Sequence, residues 1–117
     1  MPDGDENIWI GTYKGLYRMG PRDTVPVAAD HLLRSGNPSF LCDIILSINM
    51  DHTGTLWVGT PCGLNTLRKR KEDNYDHAEY TSRDGLNDDF INAVRSLGNT
   101  IWMSTNAGIS SFDLSDG

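Results

Sequence analysis

Apolar residues in this chain gather in short runs cut by glycine and by acidic or amide-rich turns, and they do not recur at helical spacing. The runs are rich in β-branched and aromatic residues, which predicts strands. One run repeats. Ile8-Trp9-Ile10-Gly11-Thr12 returns as Leu56-Trp57-Val58-Gly59-Thr60 and again as Ile101-Trp102-Met103-Ser104-Thr105. Each copy is followed by a glycine and an aliphatic (Gly15-Leu16, Gly63-Leu64, Gly108-Ile109), then by another apolar residue at Met19, Leu67 and Phe112. The tryptophans lie 48 and 45 residues apart, and all three occupy one repeat position. Upstream, Cys42–Ile48 matches Ile91–Leu97 at an offset of 49, which also pairs Gly36 with Gly85. The copies differ in length at one turn, where Asp51-His52-Thr53-Gly54 shrinks to Gly98-Asn99, as expected of loops that absorb length changes cheaply.

Each unit therefore predicts four short strands, lettered in chain order. In the middle copy, a is Asp43 to Met50, b is Leu56 to Thr60, c is Leu64 to Arg68 and d is about Ala78 to Ser82. Strand b is apolar on both faces, which calls for burial on both sides of its sheet. All three tryptophans are accordingly expected in the core. Gly11 and Gly59 are expected to leave room for a large ring from the next sheet, and Gly15, Gly63 and Gly108 to supply positive φ in the b–c turn.

A period near 45–48 with four strands per unit is that of a propeller blade. The predicted fold is all-β, a β-propeller fragment of about 2.5 four-stranded blades, an incomplete ring. Residues 1–39 form a partial blade (b, c, d and a connection), 40–86 a complete blade, and 87–117 a partial blade (a, b, c). Closed propellers need about four to eight blades, so ten strands leave both end sheets with bare apolar faces. Self-association of the fragment, or poor solubility, is the expectation.

Composition changes this picture little. With 38% hydrophobic and 22% charged residues the chain is ordinary globular material. A net charge of −6 argues against nucleic acid as partner. The basic run Arg68-Lys69-Arg70-Lys71 is followed by Glu72, Asp73 and Asp76 and reads as a solvated hairpin turn. The longest apolar runs are too short to span a bilayer, and the acidic Met1–Glu6 does not read as a signal peptide.

The unit Asp43, Ile45, Ile48, Asp51, Gly54, Leu56, Trp57, Val58, Gly59, Thr60, Gly63, Leu64 resembles the two-component regulator propeller repeat, and Tyr80–Leu86 with Asn92 and Val94 resembles its d-to-a connection. The resemblance covers nearly the whole chain. It departs from the family pattern at Ser104, Lys14, Cys62 and Ala107. It implies the extracytoplasmic, periplasmic sensor half of a hybrid two-component regulator of Bacteroides-type gut bacteria, in a membrane-bound, dimeric inner-membrane receptor. Many such receptors sense oligosaccharides and signal to a histidine kinase. No kinase, receiver or DNA-binding part falls within these residues. The runner-up is a scaffold propeller for protein–protein contact, marked by an exposed aromatic or arginine cluster.

No catalytic constellation is present, so no enzyme is expected, and no cofactor or metal. His31, His52 and His77 fall at a d strand, an a–b turn and a c–d turn, and no zinc spacing gathers them. Asp3-x-Asp5-x-Asn7 lacks the later ligands of a calcium loop and reads as an acidic turn. Ligand contacts are expected where the b–c and d–a loops share one end of the propeller: Tyr13, Lys14, Arg83, Asp84, Asn87, Asp88 and Asn106, with Asp89 beside them. Sugars take aromatic faces with amide, carboxylate or guanidinium groups, and the bland alternative is that these are solvated loop residues. Cys42 and Cys62 lie nearly opposite each other across the a–b hairpin. A cross-strand disulfide is open to them, but two free thiols are the expectation.

Overall fold

The computed structural model describes residues 7–28, 44–71 and 74–114. They form three antiparallel sheets. The first holds β1 (Ile8–Thr12), β2 (Gly15–Met19) and the short β3 (Val27–Ala28); the second β4 (Ser47–Met50), β5 (Leu56–Thr60), β6 (Gly63–Lys71) and β7 (Asn74–Tyr80); the third β8 (Ile91–Leu97), β9 (Thr100–Thr105) and β10 (Gly108–Asp113). Within each sheet, strands neighbour in chain order. This is an arc of a β-propeller, one four-stranded blade between two three-stranded ones. Among the described residues no helix is long and apolar enough to cross a membrane.

The middle sheet shows where sequence periodicity stops short. Strand b is as expected, but β6 runs on through Arg68–Lys71, so the basic run is strand and not turn. The reason is cross-strand charge pairing: Arg68 sits opposite Asp76, and Arg70 reaches the Asp76 carboxylate at 3.6 Å. The return strand β7 accordingly starts at Asn74, which places His77 in a strand opposite Leu67 instead of in a turn. The first strand is shorter than expected and begins at Ser47. Ahead of it, the Ile45 N–H bonds the Thr12 carbonyl at 2.8 Å and the Leu46 N–H bonds Gly59 at 2.9 Å.

Register also corrects the repeat alignment. Ile48 faces Val58 in the second sheet, and Val94 faces Met103 in the third. The equivalent positions Ile48 and Val94 are thus 46 residues apart, not 49. The length difference does sit in the a–b turn, with Gly98-Asn99 alone joining β8 to β9.

Two apolar clusters glue the sheets face to face. The first gathers Trp9, Leu16, Ile45, Leu56, Val58, Leu67 and Tyr75; the second gathers Trp57, Leu64, Leu86, Ile91, Val94, Ile101 and Met103. In each, the tryptophan of one sheet faces the b strand of the next. The glycine beside it is needed for close approach: a Cβ on Gly59 would stand 2.8 Å from Ile91 Cγ2 and 3.0 Å from its carbonyl oxygen. On Gly11 it would stand 2.6 Å from Ile45 Cγ2. What fills these spaces is an isoleucine, not the expected aromatic ring. The inner strands also meet, since Val94 N–H donates to Ser47 Oγ at 3.2 Å and Ser96 N–H to Asn49 Oδ1 at 3.0 Å.

Trp102 departs from the expected core placement. It is 44% exposed, against 1% for Trp9 and 3% for Trp57. Its own sheet neighbours Ile101 and Met103 are buried, so β9 has one covered face and one bare one.

Candidate functional site

The b–c turns are built by one device three times over. The threonine closing strand b (Thr12, Thr60, Thr105) donates its hydroxyl to the carbonyl of the glycine three residues on, at 2.7, 2.9 and 3.2 Å. The same oxygen accepts the backbone N–H of Lys14, Cys62 and Ala107 at 3.0, 3.1 and 3.1 Å. Gly15, Gly63 and Gly108 take φ of 116°, 149° and 122°, the positive values expected of them. The threonine's part was visible in the sequence only as a repeated letter; its spacing to glycine was the signal.

The d–a connection is equally tied down. Thr81 caps a 3-10 turn over Ser82–Asp84: its hydroxyl accepts from Arg83 N–H, and the Asp84 carboxylate takes the Thr81 N–H at 2.9 Å. Thr81-x-x-Asp84 is a capping-box pattern readable in the sequence. Asp89 Oδ1 accepts the Ser82 N–H at 2.6 Å, and Asp88 Oδ1 accepts the Phe90 N–H at 3.0 Å. Asn87 bridges to the next sheet: its Oδ1 shares the single Thr105 hydroxyl hydrogen with the Gly108 carbonyl and is the nearer acceptor at 2.8 Å, and its amide donates to the Ile109 carbonyl at 3.4 Å. Asn106 accepts from Asn92 at 3.2 Å.

The candidate residues thus sort by what their side chains already do. Asp84, Asp88, Asp89 and Asn87 hold the chain's own backbone, and Asn106 is joined to Asn92. Arg83, Tyr13 and Lys14 stand out into solvent, Tyr13 at 77% exposure. Arg83 lies on the rim of a cavity of about 430 Å³ lined by Cys62, Glu79, Thr81, Ser82, Arg83, Asp84 and Asp89. The b–c turn and the d–a connection of the middle sheet do share this end. Tyr13 and Lys14 belong to the first sheet and do not line the cavity; Asn87 and Asn106 sit at the third. Around this hollow stand one guanidinium and three carboxylates, of which Asp84 and Asp89 already accept backbone N–H groups, and the local excess of carboxylate disfavours an anionic ligand.

Cys62 is disulfide-bonded and no described cysteine is free, which overturns the expectation of free thiols. The chain's other cysteine, Cys42, lies outside the described residues, as do His31 and the acidic Asp3-x-Asp5 turn. His52 lies in the β4–β5 turn, and His77 Nε2 shares a hydrogen with Asn65 Oδ1 at 2.8 Å. Among the described residues, no group of three or more His, Cys, Asp or Glu is placed to hold a metal ion.

One polar centre escaped the sequence reading. Asp51 is buried at the turn after β4, where Oδ2 accepts the Trp57 indole N–H at 2.7 Å. Oδ1 accepts the Thr53 N–H at 2.8 Å, its hydroxyl at 2.6 Å and the Thr55 N–H at 3.0 Å. Burial alone would raise this carboxyl, but the hydrogen bonds from Thr53, Trp57 and the Thr55 backbone outweigh it and hold it below its ordinary value near 3.8.

No family model and no curated protein matches the chain. Among solved structures, it is similar to the extracellular domain assigned to a hybrid two component system of B. thetaiotaomicron, with a TM-score of 0.68 at 20% identity. The match covers 96% of this chain and 15% of that one, so the likeness is one of fold over a small part of a much longer molecule.

Proposed function

We propose that this chain is part of the extracytoplasmic sensor propeller of a hybrid two-component regulator, contributing loops to oligosaccharide recognition and blade packing to signal transmission toward a histidine kinase. The observation that carries this reading is the three-sheet arc, repeated in register and similar along 96% of its length to the extracellular domain of such a system. The hollow beside Arg83, with its hydroxyl and carboxylate lining, supports a neutral glycan as ligand. The chain itself carries no catalysis on this reading; the kinase belongs to the receptor, dimeric in the inner membrane.

The test is calorimetry of the full extracytoplasmic region against a panel of neutral and acidic oligosaccharides. Binding of a neutral oligosaccharide that weakens at least tenfold in Arg83→Ala is the expected result. No binding across the panel, or binding indifferent to Arg83, overturns the glycan assignment. The half-exposed Ile8 and Trp102, on opposite end faces of the arc, also support self-association of the chain on its own.

A further inference from the structure

The three b–c turns close by the same threonine bonds, and at the middle one a disulfide is added. The N–H groups of Lys14, Cys62 and Ala107, at one position of the turn, reach the threonine oxygen at 3.0, 3.1 and 3.1 Å. Lys14 and Ala107 hold that place without a cysteine, so the shape of the turn does not call for the disulfide at Cys62. Its use is read from what the middle turn touches.

Cys62 is half-buried and lines the hollow of about 430 Å³ beside Arg83. Gly63, next to it, is pressed against the wall of that hollow: a Cβ there would stand 2.7 Å from the Tyr80 carbonyl oxygen and 3.2 Å from Thr81 Cγ2. Thr81 in turn caps the 3-10 turn that carries Arg83, accepting the Arg83 N–H at 3.2 Å. A displacement of the Cys62–Gly63 turn is therefore passed by direct contact through Tyr80 and Thr81 to Arg83.

We propose that the disulfide at Cys62 is a redox latch on this hollow. Oxidised, it holds the b–c turn against Tyr80 and Thr81 and so sets Arg83 on the rim. Reduced, it frees the turn, and the hollow loosens. The chemistry is thiol–disulfide exchange with a small dithiol, for which the hollow gives access to Cys62. The reagent's thiolate attacks the Cys62 sulfur, and the partner sulfur leaves as a thiolate and takes up a proton. The second thiol of the reagent resolves the mixed disulfide, which leaves two cysteine thiols and one oxidised dithiol. The carboxylates around the hollow disfavour anionic reagents, so an uncharged dithiol such as dithiothreitol is the probe. That the latch governs ligand binding rests on the reading of the hollow as the ligand site; its action on the turn does not.

Amide hydrogen exchange of the full chain, with reduction followed by mass, tests the latch without any ligand. Dithiothreitol should speed exchange of the Cys62 and Ser82 amides about tenfold or more and leave Ala107, at the same place in a turn without a cysteine, within about twofold. Cys42→Ser, which removes the chain's only other cysteine and leaves the turn untouched, should give the same pattern without reductant. Unchanged exchange at Cys62 and Ser82 after complete reduction overturns the proposal. So does an equal rise at Ala107, because the bond would then hold the whole fold and not the hollow. In the full extracytoplasmic region, reduction should also weaken a bound neutral oligosaccharide about tenfold, and affinity indifferent to the redox state would overturn the control of binding. Absence of oligosaccharide binding in both states strikes the glycan reading alone, and the exchange result still decides the latch.

Discussion

Trp57 and Trp102 stand at one position of one repeat and have opposite surroundings. Trp57 is 3% exposed, closed over by Leu64, Ile91 and Met103, while Trp102 is 44% exposed beside Ala93, Arg95 and Ile109. The opposite face gives the same contrast, with Leu56 and Val58 buried at 1% and 0% and the equivalent Ile8 at 50%. The motif specifies a two-faced strand. Whether both faces are covered depends on having a sheet on each side, and only the middle sheet does among the described residues.

The largest effect should come from breaking this contrast at its centre. Trp57→Ala removes a ring from between two sheets and is expected to cost about 3–5 kcal/mol, a large share of the about 5–15 kcal/mol that holds a folded chain together. Trp102→Ala should cost no more than about 1 kcal/mol in urea unfolding. Its consequence should appear in sedimentation: the native chain associates at tens of micromolar and the variant shifts toward monomer. Comparable losses in the two variants would show that Trp102 has a cover the described sheets do not supply. A native chain that sediments as a clean monomer would remove the case for self-association.

A smaller effect sharpens the same comparison at the neighbouring residue. Gly59 faces Ile91 of the next sheet too closely to accept a Cβ, so Gly59→Ala is expected to destabilise by about 1–3 kcal/mol. The third sheet carries Ser104 there, exposed, and Ser104→Ala should stay within about 0.5 kcal/mol of the native chain. Equal unfolding midpoints for the Gly59 and Ser104 variants would mean the sheets can slide apart to admit the methyl.

The difference between glycine and serine at this position was legible in the sequence; its meaning was not. Strand b and the positive-φ glycines follow from local chemistry, because a tight turn and a short apolar run constrain only their own residues. The first strand did not follow. Ile91–Leu97 matches Cys42–Ile48 in apolar pattern, yet the hairpins set the register three residues away, and an odd shift exchanges the faces of a strand. The end of β6 misled for a related reason: a run of four basic residues looks like a turn until Asp76 is seen across from Arg68. At the candidate site, polarity and loop position were readable for Arg83, Asp84, Asn87 and Asp88. What separated Arg83 from the rest was that the other three side chains bind the chain's own backbone, a fact of three-dimensional closure.

The smallest effect concerns the turn that the third sheet lacks. In the second sheet Asp51 ties the Trp57 indole to a five-residue turn, whereas Gly98-Asn99 joins β8 to β9 with no carboxylate. Asp51→Asn presents one acceptor in place of two, so the indole or the Thr53 and Thr55 N–H groups lose a partner, at about 1–2 kcal/mol near neutral pH. The carboxyl is depressed in the folded state, so its contribution is present above its ordinary value near 3.8 and is lost as pH falls through the lower folded value. The gap between native chain and variant should therefore be full at pH 7 and narrow steadily below about pH 4. A gap of the same size at pH 2.5 as at pH 7 would show that the turn is held by its shape and not by the charge on Asp51.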